Sequence, residues 1–399
     1  TAKPAWLTAL SSESGNGGTA AEQGTATLTK DIKDLLKERN DGLKNATPLG
    51  SPSAPYNLSN STGAAPVQNT ANCYVISAPG YYRIPLVYGN AIKNGSDNQS
   101  AYKTSNTGTY ILSTFKDHLN HDITNPWIEK SNAANAGIDG AKIVWADEKD
   151  LVTSPSIAHD ASNNAYLDFE VKATDIKSGN AVVAVTKNGT VVWSWHLWFA
   201  PKTALNTIAV TNHQNKIYNF TEETLGWKPK GTVSSYTTPR TVKVKVEQTV
   251  ANNGTKQVAV LNITQNPGGK KEGITTFYQF GRKDAFPGTD EALPQGSINK
   301  NAGSNISIMN AIQNPQNFYL SIVGSSNWQS SFGYTNLWSA QNTNTAWNDD
   351  AVVKTIYDPC PAGFKMPASN AFTGFTSDGR NQITPANINA DGTADSPGT

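Results

Sequence analysis

The segment Asn180–Phe199 constrains the fold more than any other part of the chain. Two apolar runs, Ala181–Thr186 and Val191–Phe199, flank Lys187-Asn188-Gly189-Thr190. Asn-Gly between apolar runs is the strongest short-range hairpin signal, because both central residues of the tight turn need φ above zero and these two reach it at least cost. On the second run Trp193, Trp195, Leu197 and Phe199 share one face, and Val192, Ser194, His196 and Trp198 share the other. Apolar groups on both faces predict a central strand covered on each side. The tryptophans could instead form a stacking platform for a sugar ring. At strand spacing, with both faces apolar, they are assigned to packing between layers, and His196 to a hydrogen-bonded strand histidine rather than a ligand.

Other segments repeat the β pattern. Strands are expected at Cys73–Ser77 and Tyr81–Tyr88, with Ala78-Pro79-Gly80 between them, and at Ile143–Trp145 and Ala165–Val171. A second hairpin is expected at Thr241–Gln248 and Lys256–Gln265, where Val242, Val244 and Val246 alternate with Lys243, Lys245 and Glu247. Ile32, Leu35, Leu36 and Arg39 predict one helix, with Thr29 as its N-cap, and Ile111, Phe115 and Leu119 predict a short one over Tyr110–Leu119. Ser307 is expected to cap a third, ended by Asn314-Pro315. Residues 45–70, rich in Pro, Ser, Asn and Gly, read as a long ordered loop. Lys270-Lys271-Glu272-Gly273, after Asn266-Pro267-Gly268-Gly269, reads as an interdomain linker.

Charge and composition narrow the function classes. Basic and acidic residues number 32 and 31, so the basic excess of a general nucleic-acid binder is missing. Charged residues make up 16%, below the usual quarter, and Asn, Thr, Ser and Gly fill the gap. Such a surface over Val, Ile, Trp and Tyr fits exported all-β domains, since Asn and Gly build turns while β-branched and aromatic residues pack on pleats. No stretch approaches the 18 apolar residues or so of a membrane span. The chain starts at Thr1 without Met or a signal segment, so a mature or trimmed form is expected, with any lipid anchor upstream. Cys73 and Cys360 lie too far apart for a C-x-x-C site and are expected to be two buried free thiols.

Four segments together carry a resemblance. Asn72-Cys73-Tyr74-Val75-Ile76-Ser77-Ala78-Pro79-Gly80 runs into Ile84-Pro85-Leu86-Val87-Tyr88-Gly89-Asn90-Ala91, and Gly179–Val185 leads to Trp193–Trp198. Tyr278–Pro287 and Tyr357-Asp358-Pro359-Cys360-Pro361-Ala362-Gly363-Phe364-Lys365-Met366-Pro367 follow. The set, spread over residues 69–375, resembles the fimbrillin-like cell-adhesion proteins of Bacteroidales, which often end in a major-paralogous module related to C-type-lectin-like folds. Trp6-Leu7-Thr8 with its Gly-rich turn is similar to the end of a BACON-type Ig-like repeat. The lectin-like module should continue well past Asp358-Pro359-Cys360-Pro361, and the chain stops some tens of residues later, so this module is expected to be incomplete. The resemblance implies an exported outer-surface protein, commonly a lipoprotein, acting in adhesion or pilus assembly, and carries over no catalytic residue.

The chemistry-bearing motifs are weak. His118 and His121, with Asp117 and Asp122 beside them, have a spacing that could serve zinc but no third ligand. Asn387-x-Asn389-x-Asp391-Gly392 echoes the start of a calcium loop, yet Gly398 stands where the bidentate Glu belongs. The doublets Asp147-Glu148, Glu222-Glu223 and Asp349-Asp350 would each point to opposite faces of a strand, which makes poor acid/base pairs, so they are read as solvated surface groups. Arg282, Lys283 and Asp284 are expected to pair with one another or to pin their loop to the body. No nucleophile elbow, phosphate loop or His-Glu-x-x-His is present.

The expected fold is mainly β: Ig-like or fimbrillin-like sandwich domains followed by an irregular α+β, C-type-lectin-like module. The expected divisions are residues 1–50, a BACON-like piece; 51–269, an adhesion sandwich; and 270–399, the lectin-like module. The expected function is non-catalytic adhesion at the outer surface, free-standing or on a pilus, with no cofactor and no metal. Expected partners are other surface or pilus subunits, or glycans and proteins of host or bacterial cells, and not nucleic acid. The alternative is a glycan-binding module using Trp328, Trp338 and Trp347, which sit in Asn/Ser/Thr-rich, irregular sequence. A carbohydrate-active enzyme is the remaining rival.

Overall fold

A computed structural model describes residues 7–10, 26–28, 34–230, 240–247, 251, 254–256, 258–265, 273–289, 291–303, 307–320, 333–343 and 346–381. The chain is mainly β, with several sheets. It divides into two compact units, one of residues 1–38 and 229–273 and one of residues 39–228 and 274–399. In the smaller unit Leu7–Leu10 pairs antiparallel with Ala26–Leu28, and Arg240–Glu247 with Val258–Gln265. The second pairing is the expected hairpin. Its register sets Lys245 opposite Val260 and Glu247 opposite Val258, and all four are exposed, with Lys245 and Glu247 ion-paired at 2.6 Å.

In the larger unit two sheets share one hydrophobic core. The four-stranded sheet runs, in spatial order, Tyr56–Asn57, Gly80–Pro85, Ala165–Val171, Thr153–His159. The five-stranded sheet runs Gln295–Gly296, Gly140–Ala146, Gly179–Lys187, Thr190–Phe199, Cys73–Ile76. Tyr82, Ile84, Leu167 and Phe169 from the first meet Val183, Trp193, Trp195 and Leu197 from the second. Cys73–Ile76 and Gly80–Pro85, expected as neighbours, therefore belong to different sheets. Gly80, at φ 150°, makes the passage: a Cβ there would lie 1.9 Å from the Leu49 carbonyl oxygen. Thr153–His159 gives no strand signal in the sequence because it holds Pro155; it lies at a sheet edge, where the missing N–H leaves no ladder bond unmade.

The opening hairpin forms as expected. Lys187 pairs with Thr190 across Asn188 (φ 49°) and Gly189 (φ 79°), the two positive φ values a primed two-residue turn requires. Nine of the ten residues of Thr190–Phe199 are buried, which only a strand covered on both faces achieves. One side chain departs from strict alternation. The register shifts between Val185 and Thr186, so Val192 is the extra residue of a bulge and joins Trp193 in the main core rather than Ser194 and His196 on the second face.

The second face is covered by residues from the distal part of the chain. Val182, Ala184 and Trp145 pack there against Tyr278, Ala285, Leu293 and Ile298, and Gln295–Gly296 adds a fifth strand beside Gly140–Ala146. The Trp145 Nε1 donates to the Ala285 carbonyl at 3.0 Å. Residues 39–228 and 274–399 fall in one compact unit, with a division at 273–274 beside the expected boundary at 269–270. The hairpin 240–265 falls in the other unit, and residues 1–50 divide within the helix Leu35–Lys44.

Polar groups on that face are joined in hydrogen-bonded networks. The Asn180 Nδ2 donates to Asp147 and to the Gly226 carbonyl, so its Oδ1 is left as acceptor for the His196 Nε2 at 2.9 Å. The neutral imidazole then carries its proton on Nε2 and accepts the Tyr278 hydroxyl at Nδ1, 2.8 Å away. Ser194 Oγ donates to Asp284 at 2.6 Å, and Lys283 and Arg282 bond the same carboxylate at 2.7 and 3.2 Å. Burial lowers the pKa of both Lys283 and Arg282, opposed chiefly by Asp284. This is the expected structural role of the Arg282–Asp284 loop, moved from the surface to the interior.

Two local expectations fail for identifiable reasons, and a third, the Thr29 cap, falls outside the described residues. Residues 110–119 form no helix: Asp117 Oδ1 accepts the amides of Leu119 and His121, Asn120 sits at φ 63°, and the chain turns back so that Lys116 bridges Asp122. The helix Leu35–Lys44 is capped by Asp34, whose Oδ1 accepts the Lys37 amide at 2.9 Å; Thr29 lies outside the described residues. Asp147 and Glu148 are not a solvated doublet, because Lys228 reaches them at 3.4 and 3.1 Å and Asp147 is buried under Asn180. The expectations for Ser307, whose Oγ accepts the Asn310 amide, and for free thiols at Cys73 and Cys360 hold, although Cys360 is only half-buried.

Two measurements test this interior. Burial pushes His196 from 6.5 down to about 3. Since the folded pKa lies below the unfolded one, the contribution is complete above about pH 6.5 and is lost as pH falls toward 3, at up to roughly 1.4 kcal/mol per pH unit. Urea unfolding between pH 6.5 and 4 is therefore expected to fall less steeply in His196→Gln than in the unaltered chain; parallel slopes contradict the assignment. Asp284→Ala removes the carboxylate shared by two buried cations and is expected to lower stability by about 3–5 kcal/mol. A loss under 1 kcal/mol or so would contradict that accounting.

Candidate functional site

Among the described residues after 330, the Asn-rich sequence builds walls without strands. Asn336 does this most directly: its Oδ1 accepts the Leu112 amide at 2.9 Å and its Nδ2 donates to the Leu112 carbonyl at 3.0 Å, the two bonds a neighbouring backbone would make. Thr335 donates its amide to Tyr110, Asn342 Nδ2 bonds the Thr335 carbonyl, and Asp358 accepts the amides of Cys360 and Met366. The Asn72 amide reaches the carbonyls of Ile356 and Asp358 at 2.6 and 2.8 Å, tying this region to the five-stranded sheet. Side-chain amides thus satisfy backbone groups that sheet ladders would otherwise take.

Between these walls lies a groove of about 920 Å³. Tyr110, Phe280, Tyr334, Trp338, Trp347 and Phe372 bring six aromatic rings to it. Trp347 is 64% exposed, Phe280 44% and Tyr110 40%. Trp338 is fixed: its Nε1 donates to the Arg282 carbonyl at 3.2 Å, and its ring meets Phe280 edge-on at 5.1 Å. The polar lining is mainly amide, with Gln341, Asn342 and Asn348 beside the carboxylate of Asp350.

The Asp349-Asp350 pair shows two environments. Asp349 accepts from Asn212 at 2.7 Å, Tyr218 at 2.6 Å and Asn370 at 2.9 Å. Partial burial opposes its charge, but the bonds from Tyr218, Asn370 and Asn212 prevail and hold the carboxyl below its ordinary range. It is a structural anchor for the segment carrying Trp347 rather than a solvated group. Asp350 lines the groove; its amide bonds Asn348 Oδ1, and its carboxylate has no hydrogen-bond or ion-pair partner among the described residues.

Of the three tryptophans named from sequence, Trp338 and Trp347 come together here and Trp328 lies outside the described residues. The sequence reading missed Tyr110, Phe280, Tyr334 and Phe372. Tyr334 could have been found, since it follows Gly333 in the same irregular stretch; Tyr110 and Phe372 arrive from distant segments and carry no local signal. Among the described residues no three His, Cys, Asp or Glu side chains converge as a metal site would require. His118 is buried, with its Nδ1 lacking a partner among the described residues, while His121 is drawn to Asp117 at 3.7 Å. Residues 387–392, the calcium-like stretch, lie outside the described residues. No described helix is long and apolar enough to cross a membrane.

Comparison of the chain with family models, with curated proteins and with solved structures found no match. The chemistry of the groove is therefore argued from its geometry.

Because Trp145, Trp193, Trp195 and Trp198 are fully buried and Trp347 is not, Trp347→Ala is expected to change unfolding free energy by no more than about 0.5 kcal/mol. It should also lower the fluorescence fraction accessible to acrylamide. A large loss of stability would show that the ring is packed rather than presented.

Proposed function

We propose that the chain is a non-catalytic adhesion protein of the outer surface that seats a saccharide against Trp338 and Trp347. The observation that carries this reading is the groove itself: exposed aromatic rings stand beside side-chain amides in one concave site. A pyranose has an apolar C–H face and a hydroxyl rim. Ring faces suit the first, and amides, which both donate and accept, suit the second. A cluster of exposed aromatic surface on an otherwise well-packed unit also marks an interaction site more often than not.

The resemblance to fimbrillin-like proteins of Bacteroidales supports the export, the surface location and the role in adhesion, whether free-standing or carried on a pilus. An Ig-like or fimbrillin-like ancestry for the two-sheet body, and a lectin-like one for residues 274–381, belong to the same proposal. The non-catalytic part is supported by the lining. Glycoside hydrolysis needs two carboxyl groups facing the bond, and among the described lining residues Asp350 is the one acid.

The test is a glycan array with the unaltered chain, Trp338→Ala and Trp347→Ala. The unaltered chain is expected to bind, and each variant to lose affinity about tenfold, a change of roughly 1.4 kcal/mol. Absence of any glycan bound by the folded, unaltered chain would sink the saccharide reading.

A further inference from the structure

We infer that the groove selects uncharged saccharides and discriminates against acidic ones, with Asp350 as the discriminating residue. This rests on the saccharide reading above and goes further by fixing the charge class of the ligand.

The argument starts from the sequence around the groove. From Asn301 to Val353 there is no Lys, Arg or His, and the two acids are Asp349 and Asp350. The described lining residues contain no cation. Of the cations nearby, exposed Lys216 acts on Asp349 and is not among the lining residues, and others are held by bonds of their own. Lys354 Nζ donates to the carbonyls of Cys360, Pro361 and Phe364, Lys365 Nζ donates to the Val352 carbonyl at 2.7 Å, and Arg380 sits 3.6 Å from Asp378. Recognition of a carboxylate or sulfate would call for a guanidinium, an ammonium or a convergent set of backbone amides.

The two acids then divide the work. Asp349 is saturated by Asn212, Tyr218 and Asn370, so its charge is met by donors that also fix the wall. Asp350 lines the groove as an exposed residue whose carboxylate has no partner of its own among the described residues. A carboxylate there can accept hydroxyls from a neutral sugar, as the lining amides can. An acidic sugar seated on the aromatic rings meets a like charge at the rim, a repulsion of modest size that salt screens. Discrimination by a repulsive element needs no further contact.

The experiment is an array of neutral oligosaccharides, each printed beside its sialylated and its sulfated counterpart, followed by calorimetry on the strongest matched pair. The expected result is binding of neutral members, with acidic counterparts weaker by about threefold or more, the size of one uncompensated charge at partial exposure. The ratio should shrink in high salt and narrow in Asp350→Asn. If acidic glycans bind as well as neutral ones, and Trp347→Ala still weakens binding about tenfold, this inference is overturned and the saccharide reading stands. An unchanged ratio in Asp350→Asn also overturns it. Binding of no glycan overturns both.

Discussion

A strand buried on both faces cannot carry Ser194 and His196 unless the interior supplies their partners, because an unmatched polar group in a dry core costs about as much as several good contacts return. The rest of the larger unit follows from that requirement. Ser194 needs Asp284, His196 needs Asn180 and Tyr278, and Asn180 in turn needs Asp147. Tyr278 and Asp284 come from a part of the chain that reads, by composition, as the start of a different module. Their side chains are what bind it to the sheet. The same loop brings Arg282 and Lys283 into the interior, where one carboxylate holds both. Buried ion pairs are weak evidence for stability, but they demand one geometry, and here that geometry fixes where residues 278–286 must lie.

The groove depends on this anchoring. Trp338 hangs from the Arg282 carbonyl, and Phe280, against which its ring rests, sits two residues before that arginine. The aromatic floor is therefore positioned by the buried cluster, while the rim carrying Trp347 is positioned by Asp349 and the amides around it. The proposed binding surface, made of irregular backbone, is held by ordered elements on two sides, the arrangement by which loops can carry recognition. Asn336, standing in for a strand opposite Leu112, shows how an amide-rich sequence achieves this.

Much of the β framework was legible because it is written in nearest neighbours. The Asn188-Gly189 turn, the alternation over Thr190–Phe199, the hairpin at 240–265 and the Ser307 cap are all local chemistry, and each appears where the sequence places it. The failures are equally specific. Ile111, Phe115 and Leu119 have helical spacing, but Asp117 bonds its own following amides and turns the chain, a competition that spacing does not reveal. Pro155 hid a strand that its edge position allows. A single bulge moved Val192 to the other core. Within the site, Trp338 and Trp347 were legible as tryptophans in sequence that offers them no regular element, whereas Tyr110 and Phe372 become neighbours only when distant segments fold together.

The sequence by itself determined that this chain would be mainly β, that its central strand would be covered twice, and that indoles would be left over in amide-rich segments near its end. Those properties follow from turn chemistry, side-chain alternation and composition, all of which act over a few residues. Tertiary structure decided what covers the second face, which acids are anchors and which face the groove, and where the units divide. Such questions turn on which hydrogen-bond partner or apolar surface reaches a given point in space, and residues hundreds of positions apart compete for that place on equal terms with near ones.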